Sequence, residues 1–345
     1  MVVNGTFFMT QKPLVSAIVA TYNRAHTIGE AIESILRQTY ENVEIIIVDD
    51  GSTDATLQKL AEFGNRITVI SQKNAGPAAA RNRGIKESAG EIVTFLDSDD
   101  IWLPSFIERH VNLLQNAGET VPCSLANSWL EFSDGHRLTS FDVALLRVPD
   151  ANTIWVNVAD VLATRFIMFT QMVAVRRSAL EHSGGFDENL WSLEDYDLAL
   201  KLSFEGPWGL IREPLVIWHQ GSSDSLSKKA YKDQIRLKQN MITLKGRALT
   251  GLRRSGQFPS TQKILDRELK YAHWDLRAIQ MEQRGTWFAR TIARLLHLAE
   301  RARMIGYRRS PWFPQVDAKS VEVQSTVSTQ NSTDNLAVPG RYVAR

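Results

Sequence analysis

The sequence predicts an α/β fold: a mostly parallel sheet flanked by helices, followed by a helical extension. Three observations carry the prediction. Short apolar runs alternate with segments of helical periodicity across residues 14–96, the pattern of strands buried on both faces and joined by crossover helices. Each run stops abruptly at polar, turn-forming residues. From about Lys228 onward the strand signals cease and long helical patterns take over.

Taken in order, Leu14 to Ala20 (LVSAIVA) reads as the first strand. Thr27 to Gln38 reads as a helix, because Ile28, Ala31, Ile32, Ile35 and Leu36 fall on one face. Val43 to Val48 (VEIIIV) is the second strand, ended by Asp49-Asp50-Gly51-Ser52. Ile67 to Ser71 is the third strand, Ala78 to Ser88 a helix, and Glu91 to Leu96 (EIVTFL) the fourth strand. The middle, 122–187, is irregular, and strand-like pieces at Met168 to Arg176 and, beyond it, Leu215 to His219 are expected to extend the sheet. Helices are expected at 229–254, 261–283 and 286–305. Residues 315–339 lack periodicity and are rich in Ser, Thr, Gln, Asn and Val, as flexible segments are. The expected organisation is therefore a tail at 1–12, an α/β domain at 13–227, a basic helical extension at 228–310 and a flexible tail at 311–345.

Composition narrows the possibilities. With 43% hydrophobic and 23% charged residues the chain is ordinary globular protein. The single cysteine, Cys123, excludes an intramolecular disulfide framework and a Cys-rich zinc site. There is no apolar run of the roughly 18 residues a membrane span needs. The start, MVVNGTFFMTQKP, lacks the basic and apolar regions of a signal peptide, so a cytoplasmic location is expected. Forty Lys and Arg nearly balance 38 Asp and Glu, but the balance is uneven along the chain. Residues 1–227 hold 17 basic and 29 acidic side chains, a net of −12, while 228–345 hold 23 and 9, a net of +14.

In an open α/β sheet, ligands bind at the carboxyl ends of the strands. Three such ends carry polar groups here: Tyr22, Asn23 and Arg24 after the first strand, Asp49 and Asp50 after the second, and Asp97-Ser98-Asp99-Asp100 after the fourth. Tyr22 is suited to stack on a nucleobase while Asp50 accepts a hydrogen bond from a ring N–H. The competing reading has Asp50 and Ser52 capping the next helix. Three carboxylates within four residues repel one another and call for a cation. Mg²⁺ or Mn²⁺, which favour oxygen ligands and share their shell with phosphates, suit them. Arg81, in a small-residue helix beginning at NAGPAAAR, is placed to reach a base or a diphosphate, to neutralise Asp97 or Asp99, or both. Glu194, Asp195 and Asp197 form a further acidic cluster at a helix start capped by Ser192, where one carboxylate facing the cleft would be a general base. His219 ends an apolar run and is either a hydrogen-bonded core residue or a ligand to metal or phosphate.

In combination, VSAIVATYNR, VEIIIVDDGSTD, NAGPAAARNRG, GEIVTFLDSDD and GGFDENLWSLEDYDLALKL resemble the family 2 glycosyltransferases of the GT-A type, over residues 13–220. The resemblance implies an inverting transferase that uses a nucleotide-diphosphate sugar, here expected to be UDP-linked. It assigns the base to Tyr22 and Asp50, the ribose and metal to Asp97 and Asp99, and the catalytic base to Asp195 in the Glu194-Asp195 pair. A looser match makes His219 a further ligand. The processive members' QxxRW motif and membrane spans have no counterpart, so one or a few sugars would be added to a glycan or lipid-linked acceptor. The rivals are a nucleotidyltransferase, which would want a glycine-rich basic loop after the first strand, and a non-catalytic nucleotide-sugar scaffold.

The basic excess concentrates at 284–309, with seven Arg and one Glu around an apolar stripe that includes Trp287, Phe288, Ile292 and Leu295. Such a helix either lies on an anionic membrane, making the protein peripheral, or packs on the acidic catalytic part. No nucleic-acid module accompanies it, so nucleic acid is not an expected partner.

Overall fold

The computed structural model describes residues 12–148, 153–220, 233–283 and 317–320. The predicted helix at 286–305, the Arg-rich segment 284–309 and almost all of both expected tails lie outside the described residues. The first half follows the predicted alternation: β1 Val15–Thr21, α1 Ile28–Leu36, β2 Val43–Asp49, α2 Thr56–Ala61, β3 Thr68–Ser71, α3 Pro77–Glu87 and β4 Ile92–Asp97. β1 pairs in parallel with β2 on one side and β4 on the other, and β2 pairs in parallel with β3. The register sets Thr21 beside Asp49 and Ala20 beside Asp97, so the polar strand ends form one row. α3 can lie close over β1 because Gly84 has no side chain there. A Cβ at Gly84 would stand 2.4 Å from Ile18 Cγ2.

Beyond β4 the sheet changes character. The next elements are β5 Ile101–Trp102, α4 Phe106–Ala117, β6 Cys123–Glu131, β7 Arg137–Thr139, α5 Ser140–Val143, β8 Thr153–Trp155, α6 Val158–Thr164, β9 Val173–Arg176, α7 Arg177–Ser183, α8 Glu194–Ser203 and β10 Trp208–His219. The short β9 runs antiparallel between β4 and β6 and joins the halves, and β6 and β10 are again parallel. The strand order is β11-β8-β10-β6-β9-β4-β1-β2-β3, with β5 and β7 branching off β10 and β6. β11, Ala318–Ser320, pairs with β8, so the segment expected as a flexible tail supplies the sheet's outer strand.

The C-terminal helices α9 Gln234–Ser255 and α10 Pro259–Gln283 form an antiparallel hairpin, turned at Gly256 in the left-handed conformation. The hairpin is docked on the α/β domain. Leu244 joins the main core, while Leu249, Leu252 and Leu265 enclose Ala163 of α6 in a second one. Buried Lys245 donates from Nζ to the Ala163 carbonyl at 2.9 Å and lies 3.7 Å from Glu268. Burial lowers the pKa of this ammonium, and the Glu268 charge opposes that shift.

Candidate active site

A cleft of about 510 Å³ opens at the carboxyl ends of β1, β2 and β4, within the range usual for small-molecule sites. Tyr22, Asn23, Asp50, Arg81, Asp97, Asp99, Glu194, Asp195 and His219 all line it, so every site residue expected from the sequence is brought to one place.

The end of the cleft at Tyr22 and Asp50 is built by loops tied to strand ends. Tyr22 is 44% exposed, leaving its ring open to solvent. Asn23, at φ 52°, does structural service: its Oδ1 accepts from Thr53 N at 2.7 Å, and its backbone N–H donates to Ser52 Oγ at 2.9 Å. Ser52 therefore does not cap α2, and neither does Asp50. Asp50 is buried and accepts from Gln72 Nε2, Ala75 N and Gly76 N at 2.8–2.9 Å, fixing the loop between β3 and α3. The helix-cap reading fails because the carboxylate turns toward the β3–α3 loop.

The centre is acidic. Arg81, almost fully buried, donates to Asp97 Oδ1 at 2.8 Å and Glu194 Oε1 at 2.9 Å. It holds α3, β4 and α8 together, and the two carboxylates push its already high pKa higher against the effect of burial. Asp99 lies 3.6 Å from Arg24, and burial together with Asp97 raises its pKa. Asp100 is buried and accepts from His219 N at 3.0 Å. Burial, then the charges of Asp97 and Asp99, raises its pKa strongly. The region therefore has more carboxylate than cation, the condition a divalent ion relieves.

Among the described residues, no three His, Cys, Asp or Glu side chains form a ready metal set. The Asp97, Asp99 and His219 trio is not gathered as a ligand set. Asp97 serves Arg81, and His219 Nδ1 donates to the Asp99 carbonyl at 2.7 Å while its Nε2 lies 3.6 Å from Glu131. The residues fit an ion held by one or two carboxylates and completed by substrate phosphates, as Mg²⁺ sites commonly are.

α8 settles which acid of Glu194-Asp195-Tyr196-Asp197 is available. Glu194 is bound by Arg81, and Asp197 pairs with Lys201 at 2.7 Å. Among the described residues, Asp195 receives only the Tyr196 N–H, at 2.8 Å, and it lines the cleft. Its pKa is raised strongly, by burial first and then by Glu194, with Arg81 opposing. A carboxylate so placed is a competent proton acceptor. The helix is entered through Leu193 at φ 67°, and Ser192, expected to cap it, instead accepts a hydrogen bond from Asn240.

Phe169, Thr170, Gln171 and Trp218 complete the cleft. Phe169 and Trp218 pack with ring centroids 4.3 Å apart. Sequence reasoning assigned no role to them, to Gln171 or to Arg24. Arg24 alone carried a signal, its place beside Tyr22 and Asn23 after the first strand.

A largely parallel sheet with a carboxylate-lined cleft at its strand ends is the arrangement in which open α/β proteins bind their ligands. Residues 16–180 match the family model described as glycosyl transferase family 2. The putative glycosyltransferase EpsH of Bacillus subtilis is 39% identical over 137 residues, 39% of each chain. The Escherichia coli enzyme WfgD, named a UDP-Glc:α-D-GlcNAc-diphosphoundecaprenol β-1,3-glucosyltransferase, is 43% identical over 103 residues, 29% of this chain and 41% of WfgD. The chain thus spans about two-fifths of these relatives. The mannosyltransferase PcManGT of Pyrobaculum calidifontis, solved with GDP-Man and Mn²⁺, superposes with a TM-score of 0.53 at 22% identity over 88% of this chain and 83% of PcManGT, a likeness of GT-A fold. No helix among the described residues is long and apolar enough to cross a membrane.

Proposed function

We propose that this protein is an inverting glycosyltransferase that moves a sugar from a nucleoside diphosphate donor, UDP-linked, to a hydroxyl of a glycan or lipid-linked acceptor. The observation that carries the reading is the convergence of three polar strand ends and the one unpaired carboxylate of the α8 start, Asp195, on a single cleft. Tyr22 stacks on the base and Asp50, already held by its loop, presents its remaining lone pair to it. Asp97 lies toward the ribose. Asp99, with Asp97 beside it, would hold Mn²⁺ or Mg²⁺. A divalent ion there supplies charge stabilisation to the departing diphosphate. Arg24 and Arg81 place positive charge along the same wall.

Asp195 takes the proton of the acceptor hydroxyl as its oxygen bonds to the anomeric carbon. The bond from that carbon to the diphosphate oxygen breaks on the opposite face, and the nucleoside diphosphate leaves. Holding both substrates in line supplies much of the acceleration. The raised pKa of Asp195 makes it a better base than an exposed carboxylate. Phe169 and Trp218 form the wall on the acceptor side. The arginines of 284–309 fit a lipid-linked acceptor at an anionic surface.

The test is a panel of UDP-, GDP- and dTDP-sugars, each with and without Mn²⁺, read by thermal shift and by the nucleotide released. A UDP-sugar that raises the melting temperature with Mn²⁺ and slowly yields UDP is the expected result. Release of pyrophosphate would make the protein a nucleotidyltransferase. Stabilisation with no turnover across all acceptors offered would make it a scaffold.

A further inference from the structure

The basic C-terminal helices have no part in the chemistry above, yet α9 touches the loop that delivers Asp195. That loop, 187–193, ends in a strained residue. Leu193 adopts φ 67°, a conformation a bulky side chain avoids, and the next two residues are Glu194 and Asp195. A non-glycine residue held there costs about 1–3 kcal/mol and persists only where its surroundings over-determine it.

α9 supplies those surroundings at three points. The Arg236 guanidinium lies over the Trp191 ring, 4.3 Å from its centroid. Asn240 Nδ2 donates to the Ser192 carbonyl at 3.2 Å and to its Oγ at 3.3 Å. Arg247 forms an ion pair with Asp187. On a helix turning about 100° per residue, positions 236, 240 and 247 fall within about 40° of one another, so they form one face directed at one loop. The contacts are spread over three turns and engage the loop at its start and at its end. The hairpin itself is fixed by the buried Lys245 and by the shared core, so this face has a rigid base.

We infer that α9 is a buttress for the catalytic base: Arg236, Asn240 and Arg247 are positioning residues that keep loop 187–193, and through it Asp195, in the geometry transfer requires. The inference rests on the proposed role of Asp195. It gives the positive part of the chain a task within the domain, since two of the three residues are arginines meeting an acid and an aromatic ring.

The experiment uses the full-length chain with Asn240→Ala and Arg247→Gln, alone and together. Arg247 is 56% exposed, so its replacement does not disturb a core. Hydrogen exchange of peptides covering 186–196 is measured first; the double variant exchanges about tenfold faster there while β1 is unchanged. Transfer from the UDP-sugar that the panel identifies then falls about tenfold or more in kcat, with UDP affinity in Mn²⁺ retained. Arg247→Lys restores most of the loss. Unchanged exchange at 186–196 overturns the buttress whatever the enzyme's activity. So does faster exchange with wild-type kcat and pH profile. If exchange responds but the wild-type chain transfers no sugar, the functional proposal fails and the positioning role with it.

Discussion

Replacing Arg81 by Met keeps much of the side chain's aliphatic stem and removes its charge. Arg81 has only 9% of its side chain exposed and binds Asp97 and Glu194, which are 33% and 15% exposed. Breaking a buried pair by deleting one partner costs about 3–5 kcal/mol, because the other charge is stranded away from water. Two carboxylates are stranded here, but Asp97 is a third exposed and water screens it, so its share is discounted. The expected loss of folding stability is about 3 kcal/mol at neutral pH. Protonation relieves a stranded carboxylate, so the deficit shrinks as the pH falls toward about 4. Urea unfolding at 25 °C and at the two pH values measures both quantities. Arg81 also counteracts the upward shift of the Asp195 pKa. Its removal therefore moves the acid limb of the pH–rate profile to higher pH. A loss below about 1 kcal/mol, or one equal at both pH values, would refute the view that Arg81 compensates these charges.

Two other residues carry predictions of the same kind. Asp50→Ala strands the backbone N–H groups of Ala75 and Gly76; each bond to a charged group is worth about 1.5–3 kcal/mol, so a loss of about 3 kcal/mol by urea titration is expected, with UDP affinity weakened at least about tenfold by calorimetry. His110 is fully buried, bonds Ser124 Oγ through Nδ1 at 2.6 Å and has its pKa lowered to about 3 by burial. The unfolded chain takes up the proton below about pH 6.5 and the native state does not, so stability falls as the pH drops from 6.5 toward 3, by about 2 kcal/mol at pH 5. His110→Gln should flatten this contribution in denaturation curves taken across that range.

How far the sequence discloses the molecule depends on whether its signals are local. β1 to β4 are legible because strands buried on both faces must be apolar throughout, as VEIIIV and EIVTFL are. Their carboxyl ends then meet by topology, and Tyr22, Asp50, Asp97 and Asp99 follow. β6 is not legible. Ser124, Asn127 and Ser128 interrupt its apolar pattern, and they are tolerated inside because His110, Ser140 and the Arg212 carbonyl are there to meet Ser124 and Asn127. Phe169 and Trp218 are remote in sequence and meet only through the sheet. The capping readings of Asp50 and Ser192 fail for one reason: each group finds a partner from a distant element, Asp50 in the β3–α3 loop and Ser192 in α9, and no local pattern reveals that competition. The choice of Asp195 over Glu194 rests structurally on Arg81, 113 residues from the acid it occupies.

The central claim is that Asp195 removes the proton from the acceptor hydroxyl. Its most direct measurement compares Asp195→Asn with the wild type, using the UDP-sugar and acceptor the panel selects, and takes transfer kcat and donor Kd on the same samples. The amide keeps the shape and the Tyr196 contact but cannot accept the proton. Transfer should fall by a factor of about 10² to 10⁴ while donor Kd stays within about twofold. Transfer at the wild-type rate, or a loss explained wholly by weaker donor binding, would contradict it.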